Sequence, residues 1–370
     1  MGLSDYQLTV IDPLTGGVLK ILDGYSFTSL HYSTLLNDIG KFVLTFDTPD
    51  DLGNDFPLDA LIDVQRTPYN ASALVREETY FVRMTHRMIE GDSVQYLVGG
   101  VSLNHLLSRR IVDPSDDPLA AGGYSTKAGA ADAVLYDYAN EQMVTPINTA
   151  RIMPDFSVAL VSGTGASVGA RLRHENLFNV FQDLAARGGV DFKIVRSSGR
   201  LTELQIAPIG TDKTYSRNYP LTSFVILDPL RGNLENPSLL FDRKDEKNYG
   251  YFLGQGPGEN RIQFELAGDG QYDSPWNRIE YQEDVRQAER GDTLQLLTQA
   301  RTSLKEAAAA REFTFDISGN EPGNTYRQEW VIGDRITAQW GNESVDLRII
   351  GVEFEVNSNG ESLKVITELP

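Results

Sequence analysis

Cysteine is absent from this chain. That excludes disulfide staples, thiolate metal sites, thiol nucleophiles and thiol redox chemistry together. Cationic charge is scarce: 33 Lys and Arg stand against 52 Asp and Glu, a formal net charge of −19. Affinity for phosphate backbones comes largely from cationic neutralisation, so this balance argues against a chain that grips nucleic acid. The longest basic run is the pair Arg109-Arg110. Long apolar runs are missing too; windows such as 42–46 and 224–227 have strand length, far short of the roughly 20 residues of a membrane-spanning helix. Residues 1–6 show neither a positive n-region nor an apolar h-region, so neither a secretory signal nor a membrane anchor is expected. Histidine is limited to His31, His86, His105 and His174, none at metal-ligand spacing from another. Each is read as a packed or surface residue.

What is present is a chain of 370 residues with 41% hydrophobic content. The length suggests two to three domains at about 150 residues each, and the composition is sufficient to build cores. Residues 1–101 read as strands at 6–12, 19–22, 25–32, 41–48 and 61–65, with a hairpin of 79–89 and 94–98 about Glu90-Gly91-Asp92. Between two of them, Asn37-Asp38-Ile39-Gly40 reads as a loop whose glycine needs positive φ.

Residues 102–218 read as a mixed α/β block. A short helix is expected from a Ser102 cap, and a second at 130–143 with Ala131, Leu135 and Tyr138 on one face. A third is expected at 175–187, where Leu177, Phe178, Phe181, Leu184 and Ala185 form a helical stripe closed by Gly188-Gly189. A hairpin of 190–195 and 201–206 follows. Strands return at 223–227 and 238–241. An excursion of about 246–312 carries a helix at 293–310 with Asp292 as N-cap, and 313–370 is again β.

The two β blocks share an order of signals. Asp59–Gln65, a loop and the 80–98 hairpin in the first find an echo in Asp334–Gln339, a loop and a 347–366 hairpin in the last, with Glu90-Gly91-Asp92-Ser93 set against Asn359-Gly360-Glu361-Ser362. The echo is compatible with duplication and with mere likeness of antiparallel hairpins. Closure into barrels would remove exposed edges.

Motifs with chemical content are few. Gly163-Thr-Gly165-Ala-Ser-Val-Gly169 follows a strand-like 157–161 and mimics a dinucleotide fingerprint, but Val168 holds the place of the third glycine and the next helix begins too late to cradle a pyrophosphate. It reads as a loop. So does Gly254-Gln-Gly256-Pro-Gly258-Glu-Asn-Arg261, which has no lysine and no following helix. No GxSxG elbow occurs. Acids cluster at Asp47, Asp50-Asp51 and Asp55, at Asp113 and Asp116-Asp117, and at Asp242 and Asp245-Glu246. Paired carboxylates serve glycoside hydrolysis or calcium, with residues 50–55 the calcium candidate, but solvated loops are the ordinary reading. No catalytic, cofactor-binding or metal residue is assigned.

The order of elements from residue 25 to 370 resembles the hub family of phage tail tips and baseplates: the hub part of siphophage tail-associated tip proteins and the baseplate hub of contractile tails. The resemblance is carried by Tyr25-Ser-Phe-Thr-Ser-Leu30 with Gly40-Lys-Phe-Val-Leu-Thr-Phe46, by Val98–Arg110, by Gly232-Asn-Leu-Glu-Asn-Pro-Ser238, by Asn248–Gly258 with Arg261, and by Trp330-Val-Ile-Gly-Asp334. It implies a β-rich α+β fold of two small antiparallel β-barrels related by internal duplication. They would lie at 1–101 and 219–370, with the α/β block 102–218 between them and an insertion at about 246–312 in the second. It further implies a non-enzymatic homotrimer whose six barrels dock on a sixfold tail tube and present threefold symmetry to the tip. Its partners would be a distal tail ring, tail tube or tape measure protein and tip or fibre proteins. DNA would pass through without specific binding, along a wall to which loops at Asp50-Asp51 or Asp116-Asp117 could contribute. Assembly in the host cytoplasm and a place at the virion tail tip follow. The chain reaches Pro370 just after its last strand, so wall digestion and receptor binding are expected of another protein. Two readings compete: a carbohydrate-active hydrolase using paired carboxylates on a β scaffold, and a monomeric binding module.

Overall fold

The computed structural model describes residues 2–48, 52–68, 71–90, 93–218, 224–254, 261–284, 293–317, 325–341 and 343–368. The expected turn at Gly91-Asp92, Asp50-Asp51, Ser223, residues 255–260 and the Asp292 cap lie outside them. The chain forms two compact units, Met1–Pro237 with Thr314–Pro370, and Ser238–Phe313.

In the first unit, alternation decides which face of each strand is buried. Lys41–Asp47 turns Phe42, Leu44 and Phe46 into the core and its other side chains outward. The same period places Leu8 and Val10 of Tyr6–Ile11 inside.

The strands repeat one spatial order twice. In the first block Ser29–Leu35, Lys41–Asp47, Ser93–Ser102, Val75–Glu90, Leu61–Arg66 and Tyr6–Ile11 are successive neighbours. In the second, Glu235–Asp242, Ala310–Ile317, Gly360–Glu368, Glu343–Asn357, Arg335–Trp340 and Ile226–Leu227 follow the same sequence. The hairpins agree in register. Glu90 faces Ser93 as Asn357 faces Gly360, Val82 faces Gly100 as Ile349 faces Thr367, and each long strand passes over one residue, Arg83 or Ile350, at a bulge. The sequence echo is therefore real in its order but two residues out of frame: Ser93 corresponds to Gly360, not Ser362. The blocks differ at one end. Tyr6–Ile11 runs antiparallel to Leu61–Arg66, whereas Ile226–Leu227 runs parallel to Arg335–Trp340.

Two separate barrels do not form among the described residues. Ser29–Leu35 pairs with Lys41–Asp47 on one edge and with Glu343–Asn357 on the other. That splice joins both blocks into one open 13-stranded sheet, where separate barrels require each block to close on itself.

The α/β elements follow the sequence stripes. Asn176 caps the helix Leu177–Gly188, accepting the Phe178 N–H at 3.0 Å, and Gly189 ends it at φ 64°. Its buried face meets the hairpin Asp191–Arg196 and Thr202–Ala207, with Phe181 edge-on to Phe192 at 5.3 Å. The helix Ala131–Ala139 buries Ala131, Leu135 and Tyr138. Two local expectations fail. Asn104, not Ser102, precedes the short helix His105–Ser108; Ser102 stays in its strand, where Oγ accepts the Gly40 N–H at 2.9 Å. In the 37–40 loop it is Asn37 that takes positive φ, at 57°. Gly40 is needed for close approach, since a Cβ there would stand 2.0 Å from the Ser33 carbonyl oxygen.

In the second unit, Tyr249–Leu253 lies between Gln263–Ala267, antiparallel, and Glu280–Asp284, parallel. Phe252 packs with Ala300 and Leu304 of the helix Thr293–Glu306.

Candidate functional site

A chain this acidic must compensate every charge it buries, and the main sheet does so where its two blocks meet. Arg66, at the end of Leu61–Arg66, donates to Glu77 of Val75–Glu90 at 3.0 Å and to Glu361 of Gly360–Glu368 at 3.3 Å. Arg327 donates to the other Glu77 oxygen at 2.7 Å, and the Tyr6 hydroxyl donates to Glu361 at 2.6 Å. The Arg66 guanidinium lies 4.7 Å from the Phe354 ring centre, and Phe354 stacks on Tyr32 at 4.8 Å. Arg66, Glu77 and the carboxylate of Glu361 are nearly sealed from solvent.

Burial opposes the Arg66 charge, but Glu77, the two tyrosines and Glu361 hold the proton more tightly than usual. Burial pushes Glu361 above the usual carboxylate range despite Arg66 and the Tyr6 hydrogen bond. Burial likewise raises Tyr6, with Glu361 adding to it. The arrangement is a compensated cross-link, tying Tyr6, Arg66 and Glu77 of one block to Arg327, Phe354 and Glu361 of the other. The sequence reading missed it. The available signal was Arg66 and Glu77 flanking a loop between apolar strand positions.

The residues that the sequence did single out are occupied with structure. Asp113 accepts the Ser115 N–H at 2.9 Å. Asp116, 1% exposed, forms an ion pair with Arg151 and accepts the Asn148 N–H at 2.8 Å. Asp117, 4% exposed, accepts from Ser125 and faces Lys127. Neither Asp116 nor Asp117 can line a solvent channel. Asp55 pairs with Lys20, so of the calcium candidate only one acid is placed, and it has a cation already. Glu246 pairs with Arg243, and Asp242 accepts the Lys244 N–H at 2.8 Å.

The Gly163–Gly165 loop closes on the carboxylate of Asp132, to which Gly163 N–H donates at 2.9 Å and Thr164 Oγ1 at 3.0 Å. A strand, Ser167–Leu172, follows it rather than a helix, and this is incompatible with a dinucleotide cradle. Arg261 donates back to the Gly254 carbonyl at 2.8 Å. His31, His86 and His174 are exposed, and His105 Nδ1 lies 2.7 Å from Ser108 Oγ. Among the described residues no three His, Asp or Glu side chains gather as a metal site, and no helix is long and apolar enough to cross a membrane.

What this geometry offers is a sheet of fixed register tied together by a compensated buried cluster. The family model described as Siphovirus ReqiPepy6 Gp37-like protein matches residues 18–367. No curated protein sequence matches the chain. Among solved structures, the 43 kDa tail protein of prophage MuSo2 from Shewanella oneidensis is 12% identical with a TM-score of 0.65, covering 99% of this chain and 98% of that one. The tail protein from Neisseria meningitidis MC58 is 13% identical with a TM-score of 0.57, covering 98% and 96%. A chain of the Francisella PdpA-VgrG complex is 10% identical with a TM-score of 0.55, covering 98% of this chain and 52% of that one. At these identities the likeness is one of fold.

Proposed function

The chain belongs to the Siphovirus ReqiPepy6 Gp37-like protein family, and from that premise we propose that it is a non-enzymatic structural component of a phage tail, the hub of the tail tip or baseplate. In this reading three copies form a ring that joins the sixfold tube or distal tail ring to the threefold tip and surrounds the path of the DNA. One observation carries it: a single chain supplies the same six-strand order twice. Three chains then present six like blocks, and a threefold object can meet a sixfold one. We read the repetition as an internal duplication, 1–101 and 219–370 as its two copies with 102–218 between them, and about 246–312, between Glu235–Asp242 and Ala310–Ile317, as an insertion in the second. The insertion stands where the first copy has only the short turn at residues 36–40.

The partners are further tail proteins: the distal ring, tube or tape measure protein on one side and tip or fibre proteins on the other. The Francisella structure, described as a complex of PdpA with VgrG, supports assembly as the use of this fold. Assembly would take place in the bacterial cytoplasm. The hydrolase reading loses its acid pairs at Asp113, Asp116 and Asp117 to ion pairs and backbone contacts.

Light scattering of the purified chain combined with a symmetry-resolved image of the particle tests the hub. Three copies around the tail axis at the tip are expected. A particle in which this chain sits off the axis overturns the reading, as does hydrolysis of peptidoglycan or polysaccharide by the pure chain that is lost on mutating one acid pair.

A further inference from the structure

The long strand Glu343–Asn357 uses one of its edges twice. Arg335–Trp340 covers residues 343–348, and Ser29–Leu35 covers residues 351–356; the opposite edge belongs to Gly360–Glu368. Its counterpart Val75–Glu90 uses that edge once. Leu61–Arg66 covers it from Val75 to Phe81, and the opposite edge belongs to Ser93–Ser102. Among the described residues no strand lies along it beyond the bulge at Arg83. The side chains there are largely exposed, Met84 at 46% and Ile89 at 77%.

The strand that would fill the gap is the counterpart of Ser29–Leu35, namely Glu235–Asp242. Among the described residues it is the last strand of the sheet and pairs on one edge only. It is exposed on both faces, with Leu240 at 50% and Phe241 at 58%. A bare edge of this kind invites another strand. The two edges are also complementary. In an acidic chain the first carries His86 and Arg87 between Met84 and Ile89, with Arg83 beside them paired to Asp59 at 2.7 Å, while the second carries Leu240 and Phe241 between Glu235 and Asp242.

Building on the ring reading above, we propose that residues 238–242 of one copy add antiparallel to residues 84–89 of the next, repeating between copies the junction that Ser29–Leu35 makes with residues 351–356 inside each. Pro237 has no N–H to donate and marks where the pairing begins. The contact is heterologous, one surface against a different one, so it chains copies head to tail rather than pairing them, and closes into a ring where the rotation per copy is a third of a turn, as the ring reading requires. Three junctions within chains and three between them would alternate around the axis, and the cation-rich edge of each copy would meet the acid-flanked strand of its neighbour.

The absence of cysteine makes the test clean. The full chain carrying His86→Cys and Leu240→Cys is treated with a short bis-maleimide, and each single variant serves as control. A melting curve of each variant confirms the fold. The expected result is a ladder ending in a covalent trimer for the double variant, with neither control passing beyond a trace of dimer. A trimer by light scattering with no bond between positions 86 and 240 overturns the strand junction and leaves the ring. A chain that is monomeric alone and not threefold in the particle overturns both. As a second measurement, His86→Glu with Arg87→Glu is expected to weaken association about tenfold or more. Asp242→Arg in the same chain is expected to restore part of it; no change with either set overturns the proposed charge pairing.

Discussion

Asp132 accepts the Gly163 N–H at 2.9 Å, so the loop whose glycines mimic a nucleotide fingerprint closes on an anion of its own chain. Gly163 and Gly165 both take positive φ, at 79° and 91°, which lets the backbone curl around the carboxylate. Asp132 itself is buried. Burial pulls its pKa upward, but hydrogen bonds from Thr164, Ala133 and Gly163 together outweigh that and hold it below the ordinary aspartate range.

Asp132→Asn is therefore expected to destabilise the fold by about 1–3 kcal/mol, because the amide cannot accept from every donor now aimed at the carboxylate. A lowered folded pKa means the contribution is present above the unfolded pKa and is lost as pH falls through the folded one. Urea midpoints at pH 7 and pH 3 should show wild type and variant converging in acid. A difference that persists unchanged at pH 3 would assign the loss to something other than the charge.

Phe181 lies wholly buried and edge-on to Phe192. Phe181→Ala is expected to cost about 3–5 kcal/mol in a denaturant titration, the range for large-to-small core changes. Near-zero loss would mean that the helix presents another face to its hairpin.

Two glycines separate close approach from backbone handedness. Gly40→Ala puts a Cβ 2.0 Å from the Ser33 carbonyl oxygen, and the strand must move; about 1–3 kcal/mol or more is expected. Gly189→Ala meets nothing within 4 Å but sits at φ 64°, so only about 1–2 kcal/mol is expected. Equal losses at both sites in urea titrations would show that the two causes have been wrongly assigned.

The contrast between Asn37 and Gly40 also shows what the sequence could reveal. Stripes such as Phe178, Phe181 and Leu184 report a local period, and the structure honours them. Order was legible too, since the two β blocks repeat their signals in the same succession. Frame was not: Ser93 answers to Gly360, because register is fixed by hydrogen bonds around a bulge and not by the likeness of two turns. The splice of Ser29–Leu35 onto Glu343–Asn357 is a contact between distant parts of the chain, and no local pattern encodes it. The same holds for Arg66, whose partners Glu77 and Glu361 belong to different blocks.

Removing one partner of that buried cluster leaves the others uncompensated. Arg66→Met is expected to cost about 3–5 kcal/mol. Glu361→Gln should cost less, and with a definite pH dependence. The folded pKa of Glu361 is raised by burial, so its contribution is full below the unfolded value of about 4.3 and declines as pH rises through the folded one. The gap between wild type and Glu361→Gln should therefore narrow from acid to neutral pH. A gap that widens would mean that the ionised pair with Arg66 dominates.

The last expectation concerns the wall of the channel that the ring would enclose. Each copy brings a formal charge of −19. Like charges facing each other across a protomer contact at short range are destabilising, so most of this excess belongs on the outer surface or on the lumen. A lumen lined with Lys and Arg would hold DNA by neutralising its phosphates and slow its exit. A neutral or acidic wall lets it pass, since mobile cations screen the repulsion over about 8 Å at physiological salt. Asp116 and Asp117 cannot supply that wall, because both are buried against cations. The acids concerned are therefore exposed ones, and the basic edge at Arg83 and Arg87 is expected in a contact between copies, not on the axis. Two measurements decide the matter. Duplex DNA should show no retention by the purified ring at low salt, where electrostatic binding is strongest. A resolved particle should show an axial wall without a belt of Lys and Arg; such a belt, or retention that disappears as salt is added, would remove the conduit from this reading.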